Sequence, residues 1–353
     1  MIVAAGNPPE YNKSVRDFDI VTYDRVKRIY IEEDFAAWKE YAYHAQIHGA
    51  ILAYLEIKKK NFYSIVSDVD GKRFVTARGW EDLSVVMKVY EKQGMPIDYD
   101  FIVQYLQDPE IARDFAVYYE LYRKYNQIYR VPELLEGTYP ENVLSIQNAP
   151  FDEKLSLIGL LLDALGQEFV TYARSEAAQK ELLTQLGYLR MDLKEGRGDA
   201  KALLERQCDS HKTLTLHKKK AGLLSREELR SAHDLELMLD ACISLVAEKG
   251  SGDARTDFGL VKQYFDEREE ARQKQIVDAG RHLSNAFDFL SRVFGEGQEL
   301  VIFLSELSAG YYSLKFVSEC GNEEYYKYNR LLLLKDRSEE LTQEVMELLA
   351  LDD

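Results

Sequence analysis

Three residues of this sequence have side chains suited to handling a phosphoryl group, and each stands where the chain would present it. Asn7 follows the short apolar run Ile2 to Ala5 and is bounded by Gly6 and Pro8. Such a run reads as a strand buried on both faces. A polar amide at the tip of a parallel strand is where open α/β sheets place ligand-contacting groups. Arg25, in Tyr23-Asp24-Arg25-Val26, precedes a second β-like segment, Ile29 to Ile31. Arg78 lies just after Thr76, which opens a helix, and a helix N-terminus already favours phosphate. An amide can orient a water without taking its proton. Guanidinium groups stay charged and give planar, multi-donor contact to phosphate oxygens. Each residue also has a plainer reading: Asn7 as a strand-ending turn residue, Arg25 as a partner of Asp24 or Asp19, Arg78 as a solvated neighbour of Glu81 and Asp82.

The elements that would position these residues can be traced along the chain. Asp34 is placed to cap a helix through Trp38, Tyr41 and Ala45. Gly49 interrupts it, and a second helix runs from Ala50 to Lys60. Asp68-Val-Asp-Gly71 reads as a tight turn, with flanks at Phe62 to Val66 and Arg73 to Val75 that can pair. The helix after Thr76 carries Leu83, Val86, Met87 and Tyr90 on one face and ends at Gly94 and Pro96. Helices follow over Tyr99 to Leu106 and Pro109 to Tyr125, with Pro109 at a first helical position. Residues 126–152, holding Pro132, Gly137, Pro140 and Pro150, form the best boundary.

Beyond that boundary the pattern is helical almost to the end. Leu155 to Leu189 is strongly periodic, Glu195-Gly-Arg-Gly198 breaks it, and Asp199 restarts it. Ser225-Arg-Glu-Glu228 has the spacing of a capping box. Glu248 to Thr256 reads as an exposed loop before a long helix from about Asp257 to Val293. The expected fold is mainly α: a multi-domain helical protein with a small β remnant at the N-terminus. Its expected parts are a remnant core at 1–33, a small helical domain at 34–128, a linker at 129–152 and a C-terminal helical domain at 153–353.

Composition narrows the function classes. The chain has 353 residues, 46% apolar and 30% charged, with a net charge of −16. The acidic balance argues against broad binding to nucleic acid or anionic membranes, because phosphate contact needs clustered Lys and Arg. The runs Lys58-Lys59-Lys60 and Lys218-Lys219-Lys220 are short and read as solvated helix ends. Cys208, Cys242 and Cys320 lie far apart and have no zinc-ligand spacing, which suits reduced thiols in a cytoplasm. The longest apolar stretch, Leu155 to Leu165, is broken by Ser156 and Asp163 and is too short to span a bilayer. No signal peptide is read at the N-terminus.

In order along the chain, Asn7-Pro8, Asp24-Arg25 and Arg78 at a helix start resemble the distal motifs of the AAA+ ATPases, specifically the MoxR-like branch. The resemblance covers roughly residues 1–125. It implies that Asn7 is the sensor 1 amide that helps orient the attacking water. It implies that Arg25 is an arginine finger reaching a neighbouring subunit's nucleotide, with Arg16 as a competing candidate. It implies that Arg78 is the sensor 2 arginine of the lid, touching the γ-phosphate. On this resemblance, residues 1–33 are the end of an AAA+ core and 34–128 the lid.

ATP and Mg²⁺ are the implied cofactors, and other ring subunits and a von Willebrand A-type protein the implied partners, in chaperone-like remodelling. The departures are large. No Gly-x-x-x-x-Gly-Lys-Ser/Thr loop occurs, and no apolar strand ends in Asp-Glu, so the phosphate cradle and the metal site are both missing. The expectation is therefore a distal portion of such an ATPase that neither binds ATP tightly nor hydrolyses it alone, and is monomeric or dimeric. The alternative is a stand-alone helical interaction or adaptor module derived from the lid and C-terminal domain.

Other candidates are weaker. His44 and His48 are four apart but lack the intervening Glu of the metalloprotease pattern, and no metal site is assigned. His211 and His217 read as loop residues. The tyrosine cluster at 118, 119, 122 and 125 reads as half-buried packing with wet hydroxyls.

Overall fold

The computed structural model describes residues 25, 27, 29–68, 71–139, 146–224 and 226–332. The chain divides into two compact units, Met1–Phe35 and Ala36–Asp353. The first unit is described only at Arg25, Lys27 and residues 29–35, where Arg25 is helical and 29–34 are irregular. The expected strand at Ile29 to Ile31 is not formed. These residues are exposed, at 82%, 72% and 93%, and β-branched side chains make a strand only where a partner strand supplies hydrogen bonds and a surface to pack on.

Among its described residues the second unit is helical apart from one hairpin and the connecting turns. Helix α1 spans Phe35–His44 and α2 spans Gly49–Ile57. Strands β1 (Ser64–Asp68) and β2 (Gly71–Val75) pair antiparallel, from Ser64 with Val75 to Asp68 with Gly71. Helix α3 spans Ala77–Gln93, and Thr76 caps it by accepting from the Gly79 N–H. It ends at Gly94 in the left-handed region, φ 66°, a conformation glycine adopts without steric cost. The helix expected over Tyr99 to Leu106 is one turn, α4 (Tyr99–Ile102), followed by turns. Helix α5 (Pro109–Tyr129) begins with Pro109 as anticipated, and the Asp108 carboxylate accepts from the Glu110 and Ile111 N–H groups. Helix α6 covers Val131–Leu135.

Helix α7 (Phe151–Lys194) is the spine. At 1.5 Å per residue it is about 66 Å long. Helices α8 (Ala200–Lys220), α9 (Arg226–Lys249), α10 (Ala254–Phe294), α11 (Gln298–Ala309) and α12 (Tyr311–Cys320) follow, and residues 323–332 are helical. Asp199 caps α8 as read from the sequence, whereas Ser225 lies outside the described residues. His211 and His217 belong to α8 and not to a loop, because the apolar contacts of Leu203, Leu204 and Cys208 with neighbouring helices fix a helix that local propensity alone leaves weak. His44 ends α1 and His48 caps α2, so the two are not neighbours on one helix face.

Along α7 there are two packed regions. Its first half, Leu155 to Tyr172, packs with α2, α5, α11, α12 and the far half of α10. Phe169 stacks on Phe316 at 4.7 Å, and Phe287 meets Phe303 edge-on at 5.2 Å. Its second half, Ala178 to Leu189, forms a separate cluster with α8, α9 and the start of α10, including Leu203, Leu239 and Val261. By length and composition α7 is also apolar enough to cross a membrane, but half of its most apolar window is buried inside the protein.

Candidate functional site

Where α1, α2, α3, α7 and the α11–α12 corner meet, the packing leaves a cavity of about 510 Å³. Protein interiors are close-packed and leave few voids larger than a water. The space is partly open to solvent, and its size lies within the range of small-molecule pockets. Its apolar wall comes from α2 and α7, with Leu52, Leu155, Ile158, Leu162 and Val170, and from Ile302 of α11. The corner between α11 and α12 turns the chain through 88° at Gly310.

Three polar groups line it. The first joins α1, α2 and α11. Lys39 Nζ donates to Glu56 Oε2 at 2.7 Å and to Glu306 Oε1, and Tyr43 donates its hydroxyl proton to Glu306 Oε2. The Lys39 and Glu306 side chains are each only 15% exposed. Burial pushes the Glu56 carboxyl up, but Lys39 and Lys59 outweigh it and hold the group below its ordinary value. Burial and the facing carboxylates push the Tyr43 phenol well up, so it stays a neutral donor.

The second group is centred on His48 at the start of α2. The Ala50 N–H donates to His48 Nδ1 at 3.1 Å, so Nδ1 carries no proton. Nε2 is then the protonated nitrogen and donates to Glu91 Oε2 at 3.0 Å. Tyr119 donates to the other Glu91 oxygen at 2.7 Å, and the His48 N–H donates to Ser84 Oγ at 2.8 Å. Burial raises Glu91, but His48, Tyr119 and Arg123 together hold it low. Next to this group Gln46 sits in the left-handed region at φ 55°, a conformation that costs a non-glycine residue on the order of 1 kcal/mol. Its carbonyl accepts from Lys88 Nζ.

The third group is Asp163, on the face of α7 that lines the cavity. Its only hydrogen bond among the described residues comes from Gln167 Nε2, at 3.1 Å. Burial pushes its carboxyl above the ordinary value, and His48, Lys88 and Gln167 only partly offset that. Gly159 and Gly166 stand one turn to either side of it, and both line the cavity. Gly49 is required where α2 begins, because a Cβ there would meet the Tyr122 hydroxyl at 2.8 Å and Asp163 Cβ at 2.9 Å. The Tyr122 hydroxyl, beside Gly49, is buried without a hydrogen-bond partner.

Of the residues singled out from the sequence for phosphate chemistry, Arg25 and Arg78 are among those described. Asn7 and Arg16 fall outside the described residues. Arg25 is an exposed helical residue of the first unit, and Arg78 is the exposed second residue of α3 in the second. Arg78 does not line the cavity. Among the described residues, no group of three or more His, Cys, Asp and Glu is placed to hold a metal ion. The cavity does not suit a Mg²⁺-triphosphate either, since its sheltered charges are one lysine, already shared by two glutamates, and the carboxyl of Asp163. What sequence reasoning passed over was Asp163 itself. Its signal is a carboxyl inside the apolar run Leu155 to Leu165, with glycines one turn before and after. Comparison with family models, curated proteins and solved structures gives no match for this chain.

Proposed function

We propose that the helical unit from Ala36 onward is a ligand-binding module, and that it binds in the cavity between α2, α7 and the α11–α12 corner. The observation that carries this reading is the cavity itself: about 510 Å³ of space with an apolar wall and polar groups held in place by hydrogen bonds. A few fixed polar groups on an apolar wall are what orient a small molecule in a binding site. Nothing in the lining pairs a nucleophile with a base, so binding rather than catalysis is the reading.

Gly166 provides the test. It faces the cavity from the middle of α7, and a Cβ at this position meets nothing within 4 Å. Gly166→Leu therefore fills the space and improves helix propensity by up to about 1 kcal/mol. The expected outcome is a folded protein, at least as stable as the parent, that has lost ligand binding. A variant that binds a small-molecule panel as the parent does removes this reading.

A second reading keeps the resemblance to MoxR-like ATPases, with Asn7 and Arg25 as catalytic residues, Arg78 as a nucleotide contact, and ring subunits and a von Willebrand A-type protein as partners. It is favoured by one feature: Arg78 is exposed in the first turn of a capped helix, as a γ-phosphate contact requires. On that reading the chain alone is expected to release no phosphate from ATP. A phosphate-release assay in which turnover appears and is abolished by Arg78→Ala would contradict the expectation.

A further inference from the structure

We propose that the cavity takes an amphipathic amine, with its ammonium on Asp163 and its hydrocarbon body along Leu155, Ile158, Leu162, Val170 and Ile302. This inference rests on the reading of the cavity as a ligand site and names the ligand's chemistry.

Every oxygen of Glu56 and Glu306 already receives a donor: Lys39 and Lys59 on Glu56, and Lys39 and Tyr43 on Glu306. Both Glu91 oxygens are likewise taken, by His48 and Tyr119. An ionised carboxylate offers about four acceptor sites, and Asp163 uses one of them, for Gln167. It is the under-used acceptor of the cavity. A half-buried carboxyl with one hydrogen bond is costly to keep charged, and a cation beside it reduces that cost.

Three features admit a cation there and disfavour an anion. Gly166, one turn after Asp163, leaves open space on this face where a Cβ would meet nothing within 4 Å, so a ligand head group can approach from that side, whereas Gly159, one turn before, packs close to Ala53. The sheltered charges around the space are mostly negative: Glu56, Glu306 and Asp163 against Lys39 alone. Lys88 and Lys92, the remaining cations of the lining, are exposed. A ligand carboxylate would face the same oxygens, with only the exposed Lys88 and Lys92 to offset them. A neutral alcohol would gain one hydrogen bond but would leave the Asp163 charge uncompensated. A charge-assisted bond separates amine from alcohol by about tenfold or more in affinity.

The experiment is calorimetry on the full chain with octylamine, octanol and octanoate below their aggregation concentrations. Parent protein, Gly166→Leu and Asp163→Asn are compared, each checked for folding by circular dichroism. The expected result is that the parent binds octylamine at least about tenfold tighter than octanol, and octanoate least. Asp163→Asn should lose the preference for amine while still binding octanol. Gly166→Leu should bind none of the three. Octanol or octanoate bound as tightly as octylamine, or an amine preference undiminished in Asp163→Asn, would overturn the ligand assignment while leaving the cavity as the site. No binding by the parent, or binding unchanged in Gly166→Leu, would overturn both.

Discussion

At the scale of single residues, Asp163 and Lys39 are opposite cases of a buried charge. Asp163 is held by burial above its ordinary value of 3.8, so the folded chain binds its proton more tightly than the unfolded chain does. Stability is then lost as pH rises from the unfolded value through the raised folded one. Asp163→Asn is expected to raise the melting temperature at pH 7 and to have no such effect below about pH 3.8. Thermal scans at both pH values check it, and an equal effect at both would show that charge is not the cause. Lys39 is paired twice. Removing it leaves Glu306 without a cation and Glu56 with Lys59 alone, and Lys39→Met is expected to cost about 3 kcal/mol. The loss should shrink at acid pH, because the stability contributed by a Glu56 carboxyl held below its ordinary value is itself lost as pH falls through that lowered value. Denaturant titrations at pH 7 and pH 4 read the difference.

The cysteines separate in the same way. Cys208 and Cys242 are buried, burial pushes the Cys242 thiol up to about 12, and Cys320 is exposed. Since the thiolate is the reactive form, native protein should be alkylated at Cys320 alone, with the other two protected until unfolding. Peptide mapping after iodoacetamide treatment reads this directly.

At the scale of elements, glycine separates helix positions that are merely filled from those that are constrained. Gly187 lies inside α7 with open space around a built Cβ, whereas a Cβ on Gly79 would meet the Tyr105 carbonyl oxygen at 2.8 Å. Gly187→Ala is expected to stabilise by about 0.5–1 kcal/mol. Gly79→Ala should destabilise, because the obstacle is backbone and cannot swing aside. Chemical denaturation of the pair tests whether contacts or propensity decide.

The same distinction explains what the sequence made legible. Thr76, Gly94, Pro109 and Asp199 work through hydrogen bonds and φ angles within a few residues, and all four mark element ends as read. Ile29 to Ile31 failed as a strand and His211 and His217 failed as loop residues because those outcomes depend on partners distant in the chain. The candidate site was hidden for the same reason. Lys39, His48, Asp163 and Glu306 are spread over nearly the whole unit, and only tertiary packing brings them to one cavity.

At the scale of the whole helical unit, two long helices join two cores. In α7 no residue between Tyr172 and Ala178 is buried, and in α10 none between Val261 and Ala279 is. On one side lies the aromatic and aliphatic packing around the cavity. On the other lies the cluster of Leu182, Leu186, Leu203, Leu239, Cys242 and Val261. The stretches between them are largely polar: Arg174 pairs with Asp234 of α9, and at the edge of the second cluster Gln179 donates to the Phe265 carbonyl at 3.1 Å. Burial of apolar area holds a cooperative unit together, and a part whose own core is separate can open separately. The α8–α9 hairpin is therefore expected to exchange its amide hydrogens as one group, through an opening that leaves α2 and the first half of α7 protected. Octylamine should slow exchange in α2 and in the first half of α7 without changing it in the hairpin, because the cavity lies wholly on the other side of the polar stretches. Hydrogen-exchange mass spectrometry with and without the amine measures both. Protection gained equally over 200–249 and 155–170 would mean that α7 couples the two cores as one unit, and the division drawn here would be lost.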